Sequence, residues 1–328
     1  MSGRASASAV REAGRSWRQW LEAPAKYAEF RREVKPTARY AFPDFDVECF
    51  EQANGPDTVQ RVMMAIPKGA KGKCPAVVAP FYFPEAMLGF DPKTGSLDSG
   101  LVRSGTNLTF YSEISYMADL ARRGYIVVSA DAYHLSSVKG DLPPGDFSRW
   151  KVAGTALKRG WPEWTGIGKL VFDTRLLVDL LCADRRVDAS RIGIIGHSLG
   201  GKMAFYAGCL DPRIRVIVAS DFGIGWDQTN WKDVWYWGDA LADVRARGFD
   251  NAVLLAAAGG KPFCLIAGKY DTAESGEMVR RVRPYADDPS RFLFIDHATG
   301  HRPPRWATEK GYGFLDRHLK GKEKGNTK

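Results

Sequence analysis

The 328-residue chain is 45% hydrophobic and 26% charged, which supplies one large core and excludes a disordered or fibrous protein. Its net charge of +9 comes from 47 basic and 38 acidic residues. The basic ones are dispersed, densest over 11–18, at Arg31-Arg32 and over 320–328, so they read as solvated surface and no nucleic-acid partner is expected.

No apolar run has the length of a bilayer span, so no membrane partner is expected. Met1 to Val10 lacks the apolar centre of a secretory signal, and a cytoplasmic location is expected. Residues 1–44 read as an N-terminal helical extension, with Trp17, Trp20, Leu21, Tyr27 and Phe30 at helical spacing. Residues 45–328 read as a single domain with two insertions. Val47–Glu51 and Thr58–Ile66 form a hairpin around Asn54-Gly55-Pro56. Pro75 to Pro80 is a short apolar strand of the kind buried on both faces. Ser112–Arg123 is a helix ended by Gly124, and Tyr125 to Ala130 is the next buried strand.

Residues 135–165 show no clear period and hold Pro143-Pro144-Gly145 and Trp161-Pro162-Glu163-Trp164, so they read as a long loop or lid. Ile167–Cys182 is helical. A strand, a tight turn and a helix follow, then a strand at Ile214–Ser220. The second insertion, 221–258, carries Trp226, Trp231, Trp235 and Trp237. Strands follow at Phe263–Ala267 and Phe292–Ile295, and a final helix spans about Arg305–Leu319. Strands alternating with helices predict an α/β fold: a mostly parallel twisted central sheet, helices on both faces, and aromatic lid insertions.

The tight turn carries the chemistry. Gly196-His197-Ser198-Leu199-Gly200-Gly201 follows the apolar run ending at Ile195 and opens into a helical segment. Such a turn holds a serine in a strained backbone and projects its hydroxyl from the sheet, and side chains at the flanking positions would collide with the neighbouring strand and helix. Ser198 is therefore a candidate nucleophile.

A serine hydroxyl needs a base, and the base needs a group that fixes its tautomer. Histidines after Ser198 are His297, His301 and His318. His318 falls on the final helix. His301 is favoured over His297, because it ends the loop Ala298-Thr299-Gly300 at the carboxyl edge of the sheet. The acid candidates are Asp271, Asp221, Asp227 and Glu274. Asp271 is favoured, since it follows a strand ended by Gly268, although Asp271-Thr272-Ala273-Glu274 also fits a helix cap. Asp221, directly after the preceding strand, is the reserve. The oxyanion hole needs two N–H groups, one from Leu199 and one from the loop Pro80-Phe81-Tyr82-Phe83. Pro80 has none, so Phe81 or Tyr82 donates, and Tyr82 is preferred. Phe81, His134, Trp226 and Trp231 are candidate substrate contacts, with packing inside the lid or core as the competing reading for the aromatic residues.

The five cysteines, Cys49, Cys74, Cys182, Cys209 and Cys264, are scattered and read as buried thiols rather than a disulfide framework. No Cys/His cluster has zinc spacing, and the glycines do not make a dinucleotide fingerprint, so neither metal nor cofactor is expected.

Four stretches carry a family resemblance: 120–128, the approach 184–193, the elbow, and Gly268-Lys269-Tyr270-Asp271 with Gly300-His301. The chain resembles an α/β-hydrolase of the dienelactone hydrolase and acetyl xylan esterase-like group over about residues 45–320. The resemblance implies a Ser198, Asp271 and His301 triad. Dienelactone hydrolases proper use cysteine as nucleophile, and the aromatic insertion after Ser220 is a second departure. The expected activity is cleavage of a small-molecule carboxylic ester through an acyl-enzyme. The alternatives are a prolyl oligopeptidase-like peptidase, for which there is no room for a propeller, and a non-catalytic binding protein on a hydrolase scaffold. Assembly as a homo-oligomer is left open.

Overall fold

The computed structural model describes residues 7–91, 95–97, 115–139, 147–285 and 288–320. Helices α1 (Ala7–Leu21) and α2 (Ala25–Ala28) lead into strand β1 (Val34–Ala41), followed by the long hairpin β2 (Phe45–Gly55) and β3 (Thr58–Pro67). Then come β4 (Cys74–Val78), α3 (Pro84–Leu88) and a two-residue pair, β5 (Phe90–Asp91) with β6 (Ser96–Leu97). The middle of the chain runs α4 (Tyr116–Arg122), β7 (Ile126–Ala130), α5 (Tyr133–Ser137), α6 (Phe147–Gly160) and α7 (Gly166–Ala183). It continues through β8 (Val187–His197), α8 (Leu199–Leu210), β9 (Ile214–Ser220), α9 (Ala240–Ala246) and α10 (Asn251–Ala257). The last elements are β10 (Phe263–Ala267), α11 (Ala273–Val282), β11 (Phe292–Asp296) and α12 (Arg305–Leu319).

Among the described residues, nine strands form one sheet in the order β1-β2-β3-β7-β4-β8-β9-β10-β11. The first three and the β3–β7 junction are antiparallel, and every pairing from β7 to β11 is parallel. Parallel strands need both faces covered. Accordingly β4, β7 and β10 are buried at every position. Helix α8 packs on one face, with α7 and α1 beside it, while α12 packs on β8, β9 and β10 from the other. The faces alternate within β8: the site of Gly193 meets Leu315 and Leu319 of α12, and Ile194 meets Gly208 of α8.

Two expectations change. The segment before residue 45 is not wholly helical, because β1 adds an edge strand to β2, and its side chains are almost all exposed. Within 135–165, α6 replaces the expected loop. Its inner side is Arg149, Trp150, Ala153 and Gly154, a mixture with little apolar contrast. Residues 140–146, with Pro143-Pro144-Gly145, lie outside the described residues, as do positions 112–114 of the expected helix at Ser112–Arg123.

The N-terminal helix is part of the core. Trp17 is fully buried, with its ring 5.1 Å from Phe249, 5.8 Å from Trp237 and 6.1 Å from Trp226. Thus α1 closes over the 221–258 insertion instead of hanging from the domain. Among the described residues, no helix is long and apolar enough to cross a membrane.

Candidate active site

Ser198 sits between the end of β8 and the first turn of α8 with φ +55° and ψ −116°, a backbone that L-residues rarely adopt. The turn closes so tightly that a Cβ at Gly196 would overlap the Gly200 carbonyl, and one at Gly200 would overlap the Pro80 carbonyl. The Ser198 N–H donates to the Ser220 carbonyl at 2.8 Å, tying the turn to the neighbouring strand.

His301 reaches this serine from the loop after β11. Its Nε2 lies 3.0 Å from Ser198 Oγ, and its Nδ1 lies 2.6 Å from Asp221 Oδ2. The Ser198 hydroxyl can therefore donate to a neutral imidazole whose other nitrogen donates to a carboxylate. The ring of Tyr270 packs edge-on against His301 at 4.8 Å, and His197 lies 4.6 Å away on another side.

The partner of His301 is the reserve acid, Asp221, and the expectation for Asp271 is corrected. Asp221 directly follows β9 and is fully buried with φ +41°. Its Oδ1 accepts the N–H groups of Gly268, Tyr270 and Asp271 at 3.1, 2.7 and 2.9 Å, and its Oδ2 accepts that of Lys269 at 3.0 Å. Asp271 instead faces inward. Its carboxylate accepts the N–H groups of Phe222, Gly223 and Ile224 at 2.8, 3.0 and 2.8 Å, and the Ser275 hydroxyl at 3.0 Å. Burial raises the Asp271 pKa, and the N–H donors of Ile224 and Gly223 oppose that rise. The capping box on α11 is made by Thr272 and Ser275 rather than by Asp271 and Glu274. Asp227 pairs with Arg245 at the surface.

His297 is not at the serine. Its Nδ1 bonds Thr299 Oγ1 at 2.8 Å, and burial lowers its pKa. His318 lies on α12 against Phe314.

Leu199 begins α8, so its N–H has no partner within the helix. The Pro80 carbonyl and the Phe81 ring lie against Gly200, which brings the 80–83 loop over the elbow. The Tyr82 carbonyl accepts the Ala132 N–H at 3.0 Å, fixing the loop to the end of β7.

The expected substrate contacts fall mostly in the core. Phe81, His134 and Trp231 are each 0% exposed. His134 is stacked on Trp150 with centroids 3.7 Å apart. Trp231 donates Nε1–H to the carbonyls of Gly223 and Gly225 at 2.8 and 3.1 Å. Trp226 is half-buried, donates to the Phe249 carbonyl at 2.9 Å and stacks on Trp17. The Trp226 and Trp231 rings hold the insertion together and buttress the segment that follows Asp221.

Lys202 escaped the sequence reading. One helical turn after Ser198, its ammonium lies 4.7 Å from the Trp231 centroid and 5.0 Å from that of Tyr236, with Thr229 Oγ1 at 3.4 Å. Burial pushes its pKa down to about 7, against the opposing pull of Asp271 and Asp221. Its place at the fourth residue after the serine was a usable signal, because that position lies on the same helix face as the turn.

All five cysteines are free. Among the described residues, no group of three or more His, Cys, Asp or Glu side chains is arranged to hold a metal ion.

No family model matches the chain. A 152-residue segment, 46% of the chain, is 27% identical to YtaP of Bacillus subtilis (strain 168), a protein with a provisional hydrolase name. That segment spans 44% of the length of YtaP, less than half of it. Many solved structures are similar across most of the chain, three of them as follows. A CE15 glucuronoyl esterase from Teredinibacter turnerae T7901 has a TM-score of 0.67 at 16% identity, covering 94% of this chain and 83% of that one. A glucuronoyl esterase from Solibacter usitatus gives 0.62 at 12% identity, covering 94% and 91%. Acetyl xylan esterase 1 from Thermoanaerobacterium sp. JW/SL YS485 gives 0.57 at 15% identity, covering 98% and 100%. With its parallel sheet covered on both faces and a serine on the strand-to-helix elbow, the chain has the α/β-hydrolase fold.

Proposed function

We propose that the protein is a serine hydrolase that cleaves a carboxylic ester through an acyl-enzyme, with Ser198 as nucleophile, His301 as general base and acid, and Asp221 as the orienting carboxylate. The observation that carries this reading is the unbroken chain of contacts from Ser198 Oγ through His301 to Asp221 Oδ2, at 3.0 and 2.6 Å.

As Ser198 Oγ attacks the ester carbonyl, its proton passes to His301 Nε2. The carboxylate of Asp221 holds the Nδ1–H tautomer and stabilises the imidazolium that forms. The carbonyl oxygen, now negative, is received by the N–H groups of Leu199 and Tyr82. His301 returns the proton to the departing alcohol. Water then attacks the acyl-enzyme, losing its proton to the same nitrogen, and His301 returns that proton to Ser198 Oγ as the acyl–oxygen bond breaks and the carboxylic acid leaves.

The solved proteins of like fold are named as acetyl xylan and glucuronoyl esterases. Esters with a sugar in the acyl or alcohol part are therefore the substrate class we put first. Hydrolysis of p-nitrophenyl acetate, an acetylated sugar and a methyl uronate by wild type and by Ser198→Ala tests the reading. The wild type turns over at least one ester, and the variant falls to the rate of buffer. Equal rates for the two proteins on every ester contradict it.

A further inference from the structure

The residue before the nucleophile is bonded to the residue before the acid. His197 ends β8 and Ser220 ends β9, and the two are register partners in the parallel ladder. His197 Nδ1 lies 3.0 Å from Ser220 Oγ, with both residues 0% exposed. Immediately beyond each, the chain turns into a positive-φ residue: Ser198 at +55° and Asp221 at +41°. Those two conformations are strained for side chains of this kind and persist only where the surroundings impose them. Ser220 supplies part of that constraint twice over, since its carbonyl also accepts the Ser198 N–H at 2.8 Å. His197 adds a second contact: its ring centroid lies 4.6 Å from that of His301, so it backs the very imidazole that joins Ser198 to Asp221.

We propose that His197 is a positioning residue, whose bond to Ser220 and packing behind His301 hold the two strained turns at the separation that lets one imidazole bridge them. The proposal rests on the reading of Ser198, His301 and Asp221 as the reacting set. His197 touches no substrate in this account. Burial, the largest cause, holds its pKa well below the usual histidine range and keeps its own ring neutral, so it sets geometry without adding a cation beside His301.

The test compares wild type, His197→Leu, His197→Asn, Ser220→Ala and the His197→Leu/Ser220→Ala pair on p-nitrophenyl acetate. Melting curves establish that each variant is folded. His197→Leu fills similar space without the bond and should lower kcat by about 10- to 100-fold while KM stays within about twofold, the signature of misplaced reacting groups. Asn offers a nitrogen near the position of Nδ1 and should recover most of that loss. The double variant should be no slower than the slower single one, because both singles remove the same His197–Ser220 bond. A folded His197→Leu with the kcat of wild type overturns the proposal, and so does a double variant whose losses multiply. If His197→Leu fails to fold, Ser220→Ala and His197→Asn decide: wild-type kcat in a folded Ser220→Ala overturns the proposal, whereas a selective kcat loss there with recovery in Asn supports it. An inactive wild type would overturn the reading of Ser198 instead, which keeps the two failures apart.

Discussion

Asp221 and Asp271 hold each other's loops: the Asp221 carboxylate gathers the N–H groups of residues 268–271, and the Asp271 carboxylate gathers those of residues 222–224. Each buried carboxylate thus stabilises the backbone that carries the other. Only Asp221 also meets His301.

This division of labour separates two substitutions of the same kind. Asp221→Asn removes the carboxylate that fixes the His301 tautomer, and kcat should fall by about 10,000-fold. Asp271→Asn leaves that contact in place but weakens the hold on 222–224. Its kcat should fall by no more than about 100-fold, with the larger effect on melting temperature. Steady-state kinetics and melting curves on the two variants check this, and the reverse ranking of kcat would show that Asp271 is the acid.

Trp231 is a buried buttress in this structure, bonded to the segment that follows Asp221. Trp231→Phe keeps the ring but strips the donor from the Gly223 and Gly225 carbonyls, which should cost about 1–3 kcal/mol of stability. With the segment after Asp221 loosened, kcat should fall while KM for different esters stays in the same rank order. A change of ester preference without loss of stability would restore the substrate role.

Lys202 makes a prediction about pH. Its pKa is about 7 in the folded protein against an ordinary 10.5, so between these values the unfolded chain binds more protons than the folded one. Stability contributed at this position therefore rises with pH across that window. Compared with Lys202→Met, the wild type should gain stability from pH 7 to pH 10, as measured by denaturant titration at several pH values. A difference between the two proteins that stays constant over that range contradicts the burial of a titrating ammonium there.

Gly200 tests the oxyanion loop. An Ala side chain at this position overlaps the Pro80 carbonyl, so Gly200→Ala must push the 80–83 loop away from Ser198. Losing one oxyanion donor lowers kcat by about 100- to 1,000-fold, and that range is expected here with the fold retained. Near-normal kcat would mean that this loop supplies no donor.

Much of the fold was written in local pattern. The buried strands β4, β7 and β10 are continuous apolar runs, and the Gly-x-Ser-x-Gly spacing marks a turn that only glycine flanks permit. β1 was not legible, because an edge strand with exposed side chains on both faces is held by its backbone ladder to β2 and leaves no alternation in the sequence. His301 could be placed from its loop at the sheet edge. The local pattern favours Asp271 over Asp221 on a signal that both share, because both follow a parallel strand at that same edge. What separates them is the positive φ at Asp221 and which N–H groups each carboxylate collects, and both depend on the packed loops. The tryptophans of 221–258 were ambiguous for a related reason. Trp226 and Trp237 pack on Trp17, which arrives from a helix some two hundred residues earlier.

The most direct test of the account is the rate of covalent labelling by a fluorophosphonate, followed by intact mass and by mapping of the modified peptide. The account predicts one adduct, on Ser198, in the wild type. It should be absent in Ser198→Ala, strongly slowed in His301→Ala and in Asp221→Asn, and much less affected in Asp271→Asn. A folded wild type that takes up no label, or one labelled at another residue, would contradict the central claim.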